Sequence, residues 1–209
     1  MLKKQKHYFP SYPFLLILLF IIGSIAVFSL LNVLPRLLDN KNFQVLSASS
    51  YPLKSDIAIN ALLKINFSKE VVEALENGIP LTIAVEVQVF YEKTWWRNVL
   101  IKESVQRFEL RYHPLTDIHE VKNIATHERY SFNSRQEAMA ILGTIQGAQL
   151  IEKNKLEVNK EYFVQIRTLL DISYLPAALR QLAAVSSAWR LESSWYRWAI
   201  MPTQTEQIK

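Results

Sequence analysis

One uncharged stretch near the N-terminus constrains this chain more than any other feature. Residues Phe14–Leu34 contain no charged side chain and only three polar ones over 21 positions. As a helix rising 1.5 Å per residue, they would extend about 31 Å, which matches the hydrocarbon thickness of a bilayer. The sequence therefore predicts a transmembrane helix at 14–34, preceded by a short tail at 1–13.

A cleaved secretory signal is the alternative interpretation of this stretch. Such signals have a shorter apolar region, about 7–15 residues, followed by a small-x-small cleavage site. Here the small pair Ser24 and Ala26 lies inside the apolar run, and residues 35–39 offer no such pair. The sequence favours an uncleaved anchor, and cleavage stays open as the alternative.

The orientation of the anchor follows from its flanking basic residues. Lys3, Lys4 and Lys6 precede the apolar stretch, whereas Arg36 and Lys41 follow it. The side richer in Lys and Arg remains in the cytoplasm. We therefore expect a cytoplasmic N-terminus, with the rest of the chain on the far side of the membrane.

The composition excludes several classes of function. Without the three leader lysines, 21 basic residues stand against 19 acidic ones, whereas nucleic-acid-binding domains carry a strong basic excess on one face. The absence of cysteine excludes disulfides, thiolate metal sites and cysteine nucleophiles. No two of the four glycines have the spacing of a phosphate-binding loop. We expect no nucleic-acid partner and no P-loop or dinucleotide chemistry.

The rest of the chain alternates apolar and polar residues with the period of half-buried β-strands. The alternation is clearest at Asp56–Phe67, Leu81–Phe90 and Tyr162–Ile172. A long run from Trp95 to Tyr112 changes phase midway, which predicts a β-bulge near Gln106. Further strands are expected at 43–48, 118–126, 130–132 and 189–201.

Three short helices are predicted between these strands. Ser68 can cap a helix over 69–77, with Gly78 at its C-terminal end. A capping box at 134–137 precedes a helical stripe of apolar residues that runs to Ile145, and Pro176 can start a third helix over 177–185.

These elements predict a mainly β fold. Half-buried, mostly antiparallel strands with short connections indicate an antiparallel β-sandwich or a strongly curved sheet, with two or three short helices at its edges or ends. We expect one exported β-rich domain at 43–201, after a linker at 35–42 and before a C-terminal tail at 202–209.

Three local motifs resemble a known family. They are Glu73–Thr82 (EALENGIPLT), Leu110–His113 (LRYH) and Trp189–Tyr196 (WRLESSWY). In this order and spacing they resemble the DUF4390 family of exported bacterial proteins, over about Phe43–Ile200. The resemblance implies an envelope protein of a Gram-negative bacterium, and with the anchor it implies a single-pass inner-membrane protein with a periplasmic domain. It implies no activity. Members usually begin with a cleavable signal or a hydrophobic segment, and the long apolar run departs from the cleavable form.

Metal-binding and catalytic constellations are weak in this sequence. His113, His119 and His127 lie within fifteen residues but lack the tight spacing of a zinc motif, so we expect solvated side chains and no metal or cofactor. Carboxylates that could form a hydrolytic pair are common on the outward faces of any β-protein, so no catalytic residue is predicted. The candidates for such a pair are Glu86, Glu103, Glu109, Asp171 and Glu192.

The five tryptophans fall into two clusters, and both clusters contain arginine. Neighbouring residues of a strand point to opposite faces of the sheet, so at least one aromatic of each pair should face away from the core. Such an arginine–tryptophan surface could bind a partner, a glycan or the membrane interface. Cross-strand pairing that stabilises the sheet is the alternative. The candidate partner-binding residues are Trp95, Trp96, Arg97, Trp195, Tyr196 and Arg197.

The anchor, the lack of a catalytic signature and the two aromatic clusters favour a non-enzymatic envelope protein whose β-domain binds a protein partner or another envelope component. Two alternatives stay open. One is a carrier or sensor of a small apolar or lipid ligand held between sheet and helices. The other is an envelope hydrolase that uses paired carboxylates. The oligomeric state is not predicted.

Overall fold

The computed structural model of the chain describes residues 42–94, 97–158 and 160–200. The predicted anchor, both predicted tails, nearly all of the linker, and Trp95 and Trp96 lie outside these residues. Within the described ranges, no helix is both long enough and apolar enough to cross a membrane. All described residues belong to one compact unit, Lys41–Lys209.

Nine strands form two antiparallel sheets in the described part of the chain. The three-stranded sheet has the order β1–β2–β7, and the six-stranded sheet has the order β6–β5–β4–β3–β8–β9. The strands are β1 (Phe43–Leu53), β2 (Asp56–Ile65), β3 (Leu81–Thr94), β4 (Arg97–His113), β5 (Ile118–Asn123), β6 (Arg129–Phe132), β7 (Thr144–Glu152), β8 (Tyr162–Leu170) and β9 (Tyr196–Ile200). The predicted mainly β fold is confirmed, as two sheets instead of one strongly curved sheet.

Among the described residues, three α-helices occur where the capping signals predict them. Ser68 Oγ accepts the Val71 N–H at 3.3 Å, and Ser134 Oγ accepts the Glu137 N–H at 3.2 Å. Each bond satisfies an amide donor that a first helical turn leaves unpaired. The helices are α1 (Lys69–Glu76), α2 (Arg135–Leu142) and α3 (Ala177–Val185).

The inner faces of the two sheets share one apolar core. On the inner faces, alternate side chains are buried from Leu81 to Val89 on β3 and from Tyr162 to Leu170 on β8. Thr82 and Ala84 are also buried, on the other face of β3. Each large apolar side chain buried in this way contributes about 1.5–3 kcal/mol relative to an exposed one. Trp198 Nε1 donates to Ser50 Oγ at 3.1 Å and joins β9 to β1.

The bulge in β4 lies nearer the start of the strand than the sequence predicts. Val89 pairs with Lys102 and Phe90 with Leu100, so Ile101 is the extra residue, whereas the pairing is unbroken at Gln106. The prediction is wrong because it assumes that polar residues point outward. Polar side chains of β4 lie opposite buried residues of β3 and line a narrow space beside β7.

Strand β7 replaces the end of the second predicted helix. The helix ends at Leu142, and Ile145 lies in β7 instead of on a helical stripe. The Gly143 carbonyl accepts the Leu63 N–H at 2.7 Å, which brings the chain alongside β2. Gly147, with a φ of 64°, interrupts the alternation of apolar and polar residues in β7, so the sequence pattern does not predict this strand.

Candidate functional site

Four polar side chains form a continuous row across the outer face of the six-stranded sheet. Their residues are paired in register on β9, β8, β3 and β4. Arg197 Nη2 donates to Gln165 Oε1 at 3.3 Å, Gln165 Nε2 donates to Gln88 Oε1 at 2.6 Å, and Gln88 Nε2 donates to Glu103 Oε1 at 2.7 Å. The polar row (Arg197, Gln165, Gln88, Glu103) therefore runs from a guanidinium to a carboxylate. Hydrogen bonds aligned in this way polarise one another.

Arg167 and Trp195 form a cation–aromatic pair beside the polar row. The guanidinium carbon lies 4.6 Å from the centroid of the Trp195 ring. Arg167 Nε also donates to Glu86 Oε2 at 2.6 Å, and its Nη1 lies 3.6 Å from Glu192 Oε2. Two carboxylates and an aromatic ring thus hold the guanidinium in one position, which fixes the half-buried Trp195 ring against it.

Arg197 makes a second cation–aromatic contact on the same face. Its guanidinium carbon lies 4.6 Å from the centroid of Phe90, and its Nη1 lies 3.7 Å from Glu92 Oε1. Phe90 stacks on Phe163 of the neighbouring strand, with 5.8 Å between centroids. The outer face therefore carries two arginines that are each positioned by an aromatic ring and a carboxylate.

An ion pair lies at one end of this face. Arg107 Nε donates to Asp171 Oδ2 at 3.0 Å, and this bond raises the pKa of Arg107. Burial acts to raise the pKa of Asp171, but hydrogen bonds from Ser173 and Arg107 outweigh it and leave that pKa below its ordinary value. Asp171 therefore stays ionised. A carboxylic general acid requires the opposite shift.

The structure separates the candidate residues of the second tryptophan cluster. Trp195 and Arg197 contact the outer-face groups, whereas Tyr196 pairs with the buried Ile166 and packs against the core beside Trp198, with 6.1 Å between ring centroids. In the first cluster, Trp95 and Trp96 lie outside the described residues. Arg97 begins β4, and its side chain is not described.

Several residues of the outer face were not candidates in the sequence. Gln88, Gln165 and Arg167 occupy outward positions of strands whose alternate, inward-facing residues are buried. The sequence does contain a signal for them. Both predicted strands carry polar residues at outward positions, and these polar residues become neighbours if the two strands pair. The pairing of β3 with β8 joins segments about 80 positions apart, and alternation within either strand does not specify it.

The three histidines that the structure describes, His113, His119 and His127, do not converge on a metal site. His119 is only 9% exposed, so the expectation of a solvated side chain is wrong for this residue. Its ring packs against the Tyr112 ring, with 4.7 Å between centroids and an angle of 35° between the ring planes. It pairs with Phe132, so it does not face His127, which lies in the turn between β5 and β6. Over the described ranges, no group of three residues is placed to hold a metal ion.

His119 is expected to make stability depend on pH. Burial first, and then the charge of Arg135, lower the pKa of His119 below its ordinary value, and its buried Nδ1 has no hydrogen-bond partner. As the pH falls below about 6.5, the His119 imidazole is therefore protonated in the unfolded chain before it is protonated in the folded protein. Protonation then favours the unfolded chain. The free energy of unfolding should decrease from pH 7.5 to pH 5.5 in denaturant titrations.

His119→Phe should reduce this dependence, because a neutral ring keeps the contact with Tyr112 and cannot be protonated. His127→Gln is the matched control, since His127 is exposed. An undiminished pH dependence in His119→Phe would assign the effect to other groups.

The fold and its outer face define a two-sheet antiparallel domain with a preformed surface of polar and cation–aromatic contacts. A family model described as a domain of unknown function, DUF4390, matches residues 40–199. The chain therefore belongs to the DUF4390 family, and the resemblance carried by the three motifs is confirmed. No curated protein matches the chain, and no solved structure matches it either.

Proposed function

We propose that this protein is a non-enzymatic interaction protein of the bacterial envelope. An uncleaved helix at 14–34 tethers it to the inner membrane, with a cytoplasmic N-terminus and a periplasmic β-domain. The outer face of the six-stranded sheet binds a protein partner. The observation that carries the proposal is the fixed arrangement of Trp195, Arg167 and Arg197 on that face.

The physical argument is that these side chains lose little conformational freedom when a partner binds. Association is penalised by about 0.5–1.5 kcal/mol for each flexible side chain that becomes ordered. Arg167 and Arg197 are already held by carboxylates and aromatic rings, so they keep the same geometry in the free protein. Tryptophan and arginine are also enriched among the residues that dominate interface energies. The surface therefore suits a protein partner.

The core gives little support to a ligand carrier. The space between the sheets, lined by Val85, Val87, Ile145 and neighbouring residues, holds about 10 Å³. This volume suits about one water molecule, whereas pockets for small ligands are about 300–1,000 Å³. A larger concavity near Tyr51 and Gln146 is an open groove on the three-stranded sheet.

The carboxylates on the outer face also favour binding over hydrolysis. Glu86 bonds Arg167, Glu103 bonds Gln88, and Asp171 bonds Arg107. Glycoside hydrolysis requires one carboxylic acid with a raised pKa near a second carboxylate, whereas the pKa of Asp171 is lowered. We therefore retain hydrolysis only as the weaker alternative.

Site-specific photo-crosslinking in living cells tests the proposed surface. A photoreactive amino acid at Ala199, an exposed position beside the polar row, should give one adduct of defined mass. Adding Trp195→Ala together with Arg197→Glu should decrease its yield about tenfold or more, since loss of a dominant interface residue weakens binding by at least about 2 kcal/mol.

Two controls separate surface recognition from general effects. Tyr130 is exposed on the opposite face of the same sheet, so a photoreactive residue there should not form that adduct. Arg129→Glu reverses a charge on β6, away from the polar row, and should leave the yield at Ala199 unchanged. Equal adducts at Ala199 and Tyr130, or insensitivity to the Trp195 and Arg197 changes, would contradict the proposal.

A further inference from the structure

The chain enters the described domain at one particular end. The Asn66 N–H donates to the Asn42 carbonyl at 2.7 Å, and Phe43 pairs with Ile65, so the start of β1 lies beside the end of β2. Helix α1 follows β2 directly, and β3 begins at this end. Because β8 is antiparallel to β3 and its Leu170 pairs with Ile83, β8 ends here as well. We call this the proximal end, formed by Asn42, α1, the β4–β5 turn and segment 171–191.

Helix α3 presents an uncovered apolar surface at the proximal end. Leu182 is 66% exposed and Val185 is 83% exposed. With the exposed Ala178 they have the spacing i, i+4, i+7, which places them on one side of the helix. Tyr174 is half-exposed just before α3, and Leu115 is fully exposed in the β4–β5 turn at the same end. Large apolar side chains at adjacent helical positions mark a surface that binds an apolar partner.

The charges of residues 172–191, the segment that contains α3, favour binding to an anionic lipid surface. Residues 172–191 contain no acidic residue, and their two charged residues, Arg180 and Arg190, are both exposed. Three acidic residues of the proximal end are in ion pairs, namely Glu73, Glu76 and Asp171, with Lys69, Arg135 and Arg107. Asp117 accepts the Tyr112 hydroxyl, whereas Glu70 on α1 is exposed. Helices that lie in a membrane interface combine an apolar face with basic residues that attract anionic lipids.

We propose that α3 lies on the bilayer surface, with Leu182 and Val185 inserted among anionic lipid headgroups. This inference rests on the tether of the proposed function. Linker residues 35–42 extend at most about 28 Å, so a tethered domain stays near the membrane with its proximal end connected to it. The outer face of the six-stranded sheet then remains available for the protein partner.

The absence of cysteine makes a direct test practicable, because one introduced cysteine can be labelled uniquely. The full chain carrying Leu182→Cys or Val185→Cys is labelled with an environment-sensitive fluorophore. It is reconstituted into vesicles of phosphatidylcholine and phosphatidylglycerol that contain a lipid-borne quencher. Emission should shift to the blue and be quenched at both positions. Leu53→Cys is the control, since Leu53 is an exposed leucine in the β1–β2 region at the opposite end.

A second variant distinguishes insertion from proximity. With the label at Ala178→Cys, the changes Leu182→Ser and Val185→Ser should lower the docked-to-undocked ratio about tenfold or more, because two aliphatic side chains no longer leave water. Circular dichroism of the same variant checks that the domain stays folded. Vesicles without phosphatidylglycerol should give weaker quenching, and equal quenching would overturn the role of anionic lipid.

Flotation of the vesicles separates this inference from the proposed tether. A chain that fails to float lacks the tether, and both proposals are then overturned. A chain that floats but shows the same label environment at Leu182 and Leu53 keeps the tether and overturns the docking of α3. A blue shift at Leu182 without quenching by lipid would indicate protein contact, including contact with a second copy, and would also overturn it.

Discussion

Replacing Gly143 with alanine is expected to lower the free energy of unfolding by about 3 kcal/mol, at the upper end of the usual effect of overpacking. An added Cβ would lie 2.6 Å from the Leu63 carbonyl oxygen and 3.2 Å from the Met139 carbonyl oxygen. Both neighbours are backbone atoms, and the Leu63 N–H already bonds the Gly143 carbonyl at 2.7 Å. The clash therefore cannot be relieved by a rotamer change and must move β2 relative to the end of α2. Chemical denaturation measures the loss.

Gly78→Ala is the matched control for this close approach. Gly78 has a φ of 81°, but nothing lies within 4 Å of an added Cβ. The only penalty is the left-handed backbone, about 1–2 kcal/mol. A larger loss in Gly78→Ala than in Gly143→Ala would show that α2 does not end against β2 as described.

Tyr196→Ala should lower the free energy of unfolding by about 2–4 kcal/mol, because its ring packs against the core. Trp195→Ala should lower it by only about 1 kcal/mol, since the half-buried ring chiefly loses its cation–aromatic contact with Arg167. Thermal and chemical denaturation of the two variants measure the difference. The two neighbouring aromatics thus serve different purposes, one in stability and the other on the candidate binding surface.

Tyr196→Phe provides the control for this comparison. The phenyl ring keeps the packing of Tyr196, so this variant should have nearly the wild-type stability and the wild-type crosslinking yield at Ala199. If Trp195→Ala destabilised the fold more than Tyr196→Ala, the assignment of the two side chains to opposite faces would be wrong.

Local signals in the sequence predict most of the elements. The hydroxyls of Ser68 and Ser134 accept the backbone N–H three residues later, and this interaction depends only on neighbouring residues. Alternation identifies β3 and β8 because burial on one face of a sheet recurs every second residue. Strand β7 escapes prediction because Gly147 breaks its alternation, and because its position beside β2 depends on contacts with distant residues.

The candidate surface could be predicted only in part. Alternation requires Trp195 and Tyr196 to point to opposite faces, and they do. It does not say which of them faces the core, because that depends on the pairing of β9 with β8. Arg167 becomes a neighbour of Trp195 only after the chain returns from α3 to the sheet. The identity of the cation–aromatic pair therefore follows from the topology.

The polar row also affects the register in which β3 and β8 pair. A slip of one residue between β3 and β8 would move buried side chains to the outside, so the core forbids it. A slip of two residues keeps the inward-facing apolar side chains inside, and alternation alone does not exclude it. Such a slip would place Gln88 opposite Phe163 or Arg167 instead of Gln165. The amide contact between Gln88 and Gln165 would then be lost, so the row selects one alignment among those that the core accepts.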